Sequence, residues 1–275
     1  MSAVDTLFNR LKQRGEKAFI PFITAGDPNL RATSQLLSAL VAQGSHLCEI
    51  GIPYSDPIAD GPVIQASYTR VLNSGIGLDD IFQMLKETAP SLAAPVVTMV
   101  SHAIIHRRGL ANYVSAAKEA HVSGLIVPDL PVEESGDLAA ICKAEDLSLI
   151  QLITPNTPPD RVERIVEATT GFIYYVSVVG ITGERQTLPE ETLESVQSLR
   201  EKSDLPICIG FGISTPEHVR LLAPVADGII VGSAIVRRYS GTLPSAMGQD
   251  VEMDADTVRE VAAYVETLTH ALAAC

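Results

Sequence analysis

The chain has 275 residues and carries 33 acidic against 20 basic side chains, a formal net charge of −13. A surface this acidic argues against binding to nucleic acid or to anionic membranes, because basic side chains supply the affinity for both. Apolar residues make up 46% of the chain, which is ample for a buried core. No apolar run reaches the roughly 18 residues of a membrane span. We therefore expect a globular protein with neither a nucleic-acid nor a membrane partner.

The four cysteines are scattered and form no Cys-x-x-Cys pair. In a chain of this length, such spacing is typical of reduced thiols in a cytoplasmic protein. Charged residues interrupt the first fourteen positions, so the sequence predicts no signal peptide. We interpret His102 and His106 as loop or surface residues rather than as metal ligands. The expectation is a cytoplasmic protein without a metal site.

Eight short β-rich runs recur along the chain, and most are apolar without alternation. This pattern is typical of parallel strands that are buried on both faces. The predicted strands span residues 18–24, 46–51, 95–100, 124–127, 147–153, 172–177, 206–210 and 228–231. Helical stretches lie between them, at residues 30–43, 79–88, 110–120, 132–144, 160–168, 190–202 and 216–222.

Eightfold alternation of strand and helix predicts a closed (β/α)₈ TIM barrel, with an open doubly wound sheet as the alternative. We expect one barrel domain over residues 1–275. Val4, Leu7, Phe8 and Leu11 follow a helical spacing, so an extra amphipathic helix is expected before the first strand. It is positioned to cover the N-terminal end of the barrel. Chemistry in such a barrel belongs to the loops at the opposite, C-terminal strand ends.

Two carboxylates lie at the end of the second predicted strand and in the loop that follows it. Glu49 shares a strand face with Leu47 and Gly51, and an inward position would place it among apolar groups. Desolvation there raises a carboxyl pKa and suits the group to proton transfer near neutral pH. Asp60 lies eleven residues further, in a loop rich in proline and glycine. The two residues are candidates for an acid–base pair, although Asp60 also fits a turn or cap before Gly61.

The last two barrel units resemble a phosphate cradle. The seventh strand ends in Gly210, Phe211 and Gly212, and the eighth in Gly232 and Ser233. Glycines let the backbone approach an anion, and a short helix after Ser233 would direct N–H groups toward it. The long loop over residues 178–188 has the character of a mobile lid. Tyr175, just before it, is by itself more typical of the core.

Several segments, in this order along the chain, resemble the tryptophan synthase alpha chain family. They are residues 21–28 (PFITAGDP), 49–62, 128–131 (PDLP), 180–183 (GITG), 210–212 (GFG) and 232–233 (GS). The resemblance implies a (β/α)₈ barrel that cleaves indole-3-glycerol phosphate to indole and glyceraldehyde 3-phosphate by a retro-aldol reaction without metal or organic cofactor. It also implies a beta chain partner that carries pyridoxal phosphate and receives the indole, in an alpha-beta-beta-alpha assembly.

The resemblance assigns catalysis to Glu49, which would move protons between ring C3 and the glycerol hydroxyl, and to Asp60, which would stabilise the indole N–H. It places Thr182 in the lid, where it would meet Asp60 on closure. The remaining implied contacts are with substrate (Phe22, Tyr175, Gly183, Phe211, Gly212, Gly232 and Ser233) and with the partner (Asp56 and Pro57).

One segment departs from the family pattern. After the third strand the family carries two aromatic residues followed by Asn-Pro, whereas this chain has Ser101, His102, Ala103 and Ile104. The departure affects beta chain docking and leaves both carboxylates unchanged. Two other functions stay open from the residues alone: an isomerase or epimerase acting on a sugar phosphate, and a non-catalytic subunit that binds a phosphate ligand and regulates a partner.

Overall fold

The computed structural model describes residues 1–57, 60–176, 190–210, 212–240 and 252–275. Its described strands form one parallel sheet in the order β5-β4-β3-β2-β1-β9-β8-β7-β6. The strands are β1 (Ala18–Thr24), β2 (Cys48–Gly51), β3 (Val96–Met99), β4 (Val122–Ile126), β5 (Ser148–Ile150), β6 (Leu152–Ile153), β7 (Ile173–Val176), β8 (Ile207–Gly210) and β9 (Gly228–Val231).

The sheet closes into a barrel because β5 and β6 are two halves of the fifth predicted strand, separated by Gln151. The first half pairs with β4 and the second pairs with β7. The Gln151 carbonyl accepts a hydrogen bond from the Tyr174 amide at 3.0 Å, so pairing continues across the interruption. The predicted (β/α)₈ barrel is confirmed.

Helices surround the barrel, and the first of them lies across its N-terminal end. They are α1 (Ala3–Arg14), α2 (Leu30–Ala42), α3 (Pro62–Ser74), α4 (Leu78–Thr88), α5 (His102–Arg108), α6 (Leu110–Glu119), α7 (Gly136–Ala144), α8 (Pro159–Ala168), α9 (Glu190–Lys202), α10 (Pro216–Leu222), α11 (Ser233–Ser240) and α12 (Ala255–Ala273). Short 3₁₀ turns span Ala89–Ser91 and Val132–Glu134. No helix in these described parts of the chain is long and apolar enough to cross a membrane.

The N-terminal end of the barrel is covered by α1, as the sequence predicts. A capping box starts this helix, because the Ser2 side chain accepts from the Asp5 amide and the Asp5 carboxylate accepts from the Ser2 amide. The apolar face of α1 packs against the residues that fill the barrel interior. The rings of Phe8 and Phe172, for example, lie 5.4 Å apart. Among the described residues, α1 therefore closes this end of the interior.

Candidate active site

Glu49 projects from β2 into the C-terminal part of the barrel interior. Leu47, two residues before it, belongs to the interior cluster, and strand alternation places Glu49 on the same face. Its neighbours across the sheet are Phe22 of β1 and Val97 of β3. The side chain is wholly buried, and within the described residues neither carboxylate oxygen has a hydrogen-bond partner.

Burial without a partner changes the acidity of this group. Removal from water disfavours the charged form, and the nearby charge of Asp60 adds to the effect, so the pKa of Glu49 rises to about 8. The carboxyl group is therefore largely protonated at neutral pH and titrates just above it. A group with these properties can both give and take a proton in one reaction cycle.

Asp60 lies near Glu49, in the loop after β2 and two residues before the start of α3. Its main chain is fixed in a turn, because its amide donates to the Pro57 carbonyl at 3.1 Å and its carbonyl accepts from Gln65 Nε2 at 2.8 Å. Partial burial raises the pKa of its carboxyl group to about 6. The structure therefore brings the two predicted carboxylates together and leaves Asp60 the more acidic of the pair.

Aromatic side chains line the space beside the carboxylates. A Cβ atom at Gly51 would lie only 2.5 Å from both Phe22 Cζ and Tyr68 Oη, so glycine is required for the two rings to occupy these positions. The ring of Tyr54 lies 5.6 Å from that of Tyr68. Phe22 thus lies beside Glu49, and its role as a substrate contact stays a prediction. Tyr54 and Tyr68 were missed, because nothing in their local sequence separates them from ordinary core residues.

The structure corrects the expectation, drawn from the resemblance, that Tyr175 contacts the substrate. Tyr174 is paired with the interior residue Cys208, whereas Tyr175 is paired with Ile209 and faces the helices. Tyr175 lines a cavity of about 280 Å³ between α8 and α9, away from Glu49. Burial raises the pKa of the Tyr174 phenol well above its usual value, and the charges of Glu49 and Asp60 add to the rise. Tyr174 therefore occupies the interior position that was expected for its neighbour.

The glycines after β8 and β9 lie at the same end of the barrel. Gly212 has a φ of +75°, in the left-handed region that favours glycine. Gly232 lies next to Phe22, and a Cβ there would be in ordinary van der Waals contact with Phe22 Cβ, at 3.4 Å. Ser233 is the first residue of α11, the predicted short helix. Backbone N–H groups at a helix N-terminus favour an anion, so this corner of the site fits a phosphate.

Three predicted substrate contacts, Thr182, Gly183 and Phe211, lie outside the described residues, and so does the predicted lid. Their roles stay predictions. Asp56 is exposed and Pro57 is half-buried on the rim of the barrel, where a partner has access to both.

The segment that departs from the family pattern is the start of a helix rather than a loop. Ser101 caps α5, and its hydroxyl donates to Asp129 Oδ2 at 2.7 Å, while the His102 amide donates to Asp129 Oδ1 at 2.7 Å. Asp129 belongs to the PDLP segment after β4, so the two neighbouring loops are joined. The described residues contain no group of three or more His, Cys, Asp or Glu side chains that could hold a metal ion.

Comparisons with known proteins agree over nearly the whole chain. Residues 8–270 match the family described as tryptophan synthase alpha chain. The tryptophan synthase alpha chain of Rhodopirellula baltica is 49% identical over 275 residues, 99% of each chain. That of Arabidopsis thaliana is 47% identical over 231 residues, 84% of each chain.

Solved structures show the same similarity. A crystal structure of the tryptophan synthase alpha chain from Legionella pneumophila superposes with a TM-score of 0.87 at 30% identity, covering 99% of this chain and 98% of that one. A structure from a study of mutual activation in the tryptophan synthase α2β2 complex of Pyrococcus furiosus gives a TM-score of 0.83 at 35% identity, covering 93% of this chain and 99% of that one.

Proposed function

The chain belongs to the tryptophan synthase alpha chain family, and from this premise we propose that it cleaves indole-3-glycerol phosphate to indole and glyceraldehyde 3-phosphate. The observation that carries the proposal is the Glu49 carboxyl group, which is wholly buried at the open end of the barrel, without a described partner and beside Asp60. The cleavage needs one group that exchanges protons near neutral pH, and Glu49 has the required acidity.

Proton transfer by Glu49 makes the carbon–carbon bond breakable. A proton is added to ring C3 of the indole, and the hydroxyl on the adjacent glycerol carbon loses its proton. The bond between these carbons then breaks, its electron pair returns to the ring, and the hydroxyl-bearing carbon becomes the aldehyde of glyceraldehyde 3-phosphate. A carboxyl group with a pKa of about 8 serves both steps, because neither of its protonation states is strongly favoured near that pH.

Asp60 has the complementary role of holding the ring. Its carboxyl pKa of about 6 leaves it ionised at neutral pH, so it can accept a hydrogen bond from the indole N–H. Positive charge develops on the ring when C3 is protonated, and a fixed carboxylate near that nitrogen stabilises it. Phe22 and Tyr174 provide apolar walls for a flat aromatic group.

We assign the phosphate group of the substrate to the glycines that follow β8 and β9 and to the start of α11. Gly212, Gly232 and Ser233 support this assignment through the positive φ of Gly212 and the start of α11 at Ser233. Thr182, Gly183 and Phe211 complete the proposed substrate contacts. The proposed chemistry uses this chain's own carboxyl groups and needs no metal or organic cofactor.

The proposed partner is a tryptophan synthase beta chain in an alpha-beta-beta-alpha assembly, with pyridoxal phosphate bound by the beta chain. The accessible rim residues Asp56 and Pro57 support docking at the open end of the barrel. They precede Asp60 by four and three residues on the same loop, and the Pro57 carbonyl accepts from the Asp60 amide, so a docked partner would act on the catalytic loop itself. Free cysteines at positions 48, 142, 208 and 275 fit a reducing compartment, and we assign the reaction to the cytoplasm.

The test is indole release from indole-3-glycerol phosphate, measured with and without a tryptophan synthase beta chain. We expect slow release by the chain alone and faster release with the beta chain. Release at a rate that the beta chain does not change would support the lyase reaction but contradict docking of a beta chain at the rim. No release under either condition would overturn the proposed reaction. Binding of the substrate without release would favour the regulatory subunit instead.

A further inference from the structure

Two histidines, His102 and His106, which were interpreted as loop or surface residues rather than as metal ligands, lie one turn apart on α5. The centroids of their rings are 5.9 Å apart. His106 is exposed and His102 is half-buried, so both imidazoles are within reach of solvent. Residues four apart project from the same face of a helix, which is the arrangement by which two histidines share one metal ion.

The helix that carries the pair is held at both ends. At its start, the Ala103 amide donates to Ser101 Oγ at 3.2 Å, and Asp129 accepts from both the Ser101 hydroxyl and the His102 amide. At its end, Arg108 forms an ion pair with Asp79 at 2.5 Å. When the backbone is already fixed, the two side chains lose less conformational entropy on binding an ion. This favours chelation.

We propose that His102 and His106 form a chelating site for one divalent transition-metal ion of the borderline class, namely Cu²⁺, Ni²⁺ or Zn²⁺. Each imidazole supplies one nitrogen ligand, and water fills the remaining positions. Such ions prefer imidazole, whereas Mg²⁺ and Ca²⁺ prefer oxygen ligands and are excluded from a pair of nitrogens. The site lies on the rim of the barrel, after β3, and takes no part in the proposed lyase reaction.

The direct test is calorimetric titration of the full-length chain with Ni²⁺ in a buffer that does not coordinate metals. We expect one ion per chain, and we expect His102→Ala and His106→Ala each to weaken binding at least about tenfold. Both side chains reach solvent, so neither change removes a core contact. Mg²⁺ at the same concentrations should not compete.

Two variants control for other ligands. His121→Asn replaces an exposed histidine in a left-handed turn (φ of +60°) with a residue that tolerates this conformation. Cys275→Ser removes the exposed thiol. Both should keep the wild-type affinity. The proposal is overturned if the wild-type chain binds no Ni²⁺, if both His variants bind as tightly as the wild type, or if either control loses the ion.

Discussion

Polar groups close to the barrel interior differ between its two ends. At the N-terminal end, the hydroxyls of Ser2 and Ser148 hydrogen-bond at 2.7 Å, and Asp5 accepts from the Gly171 amide at 3.0 Å. At the C-terminal end, both oxygens of Glu49 and the hydroxyl of Tyr68 are buried without a partner among the described residues.

This difference separates the end of the barrel that stabilises the fold from the end that carries the chemistry. A buried polar group without a partner costs about 1–3 kcal/mol, and more when it is charged. The end covered by α1 pairs the groups named above and gains from apolar packing. The open end carries an unpaired carboxyl group instead, and the same lack of partners leaves that carboxyl group free to act on a substrate. Changes at the two ends should therefore have different consequences.

Glu49→Gln should have the largest effect on activity. The amide keeps the size of the side chain but cannot transfer a proton, so we expect kcat for indole release to fall by about 10²–10⁴. Steady-state kinetics with indole-3-glycerol phosphate measures this loss. Glu119→Gln, at an exposed carboxylate on α6, is the matched control and should leave kcat unchanged. Wild-type turnover by Glu49→Gln would remove Glu49 from the mechanism.

Phe8→Ala tests the opposite end and should lower stability by about 3–5 kcal/mol, because it leaves a cavity against Phe172. Denaturant unfolding gives the free energy, and kcat of the folded fraction should stay at the wild-type value. Leu72→Ala, at an exposed leucine on α3, serves as the control, with an expected change within about 0.5 kcal/mol. A fall in kcat in proportion to stability would show that the two ends are not separable.

The stability of the open end should depend on pH. The pKa of Glu49 rises from 4.5 to about 8 on folding, so between these values the folded chain keeps a proton that the unfolded chain releases. The free energy of unfolding contributed by Glu49 is therefore present below pH 4.5 and is lost as pH rises toward 8.

Glu49→Gln removes this dependence and provides the reference for measuring it. Its stability advantage over the wild type should grow across that pH range by an amount on the order of a few kcal/mol, and then level off. Denaturant unfolding of both proteins at a series of pH values tests this. A difference that stays constant with pH would mean that Glu49 ionises normally.

Substitutions of the two adjacent tyrosines of β7 should have the smallest effect of the four. Tyr174→Phe removes a hydroxyl on the interior face near the carboxylates, and we expect kcat/KM to change by about threefold to tenfold, on the scale of one hydrogen bond. Tyr175→Phe removes a hydroxyl that faces α9 and should leave kinetics unchanged. Equal effects of both variants, or an effect of Tyr175→Phe alone, would contradict the assigned strand faces.

The same tyrosines show what the sequence can and cannot predict. Continuous apolar runs located the strands, and their alternation with helices predicted the barrel. In a parallel barrel, however, both strand faces are buried, so hydrophobicity does not distinguish Tyr174 from Tyr175. Only the pairing of Tyr174 with Cys208 places it inside.

Two helices were missed for different reasons. Gly61, at the start of α3, provides no side-chain cap, and the start signal that is present, Pro62 at the first helical position, also fits a loop. The start of α5 is fixed by Asp129, a residue 27 positions away, and such a distant contact leaves no local pattern. Glu49 and Asp60 became candidates because two carboxylates in one strand and its following loop can act as an acid–base pair, whereas Tyr54 and Tyr68 have no such feature.

Burial without a described partner keeps the Glu49 carboxyl group protonated near neutral pH. Infrared difference spectroscopy between the wild type and Glu49→Gln tests it most directly, because a protonated carboxyl group has its own carbonyl band. We predict that this band is present at neutral pH and is lost with a midpoint at about pH 8. A band already lost near pH 4.5, the ordinary pKa of a glutamate, would contradict the account.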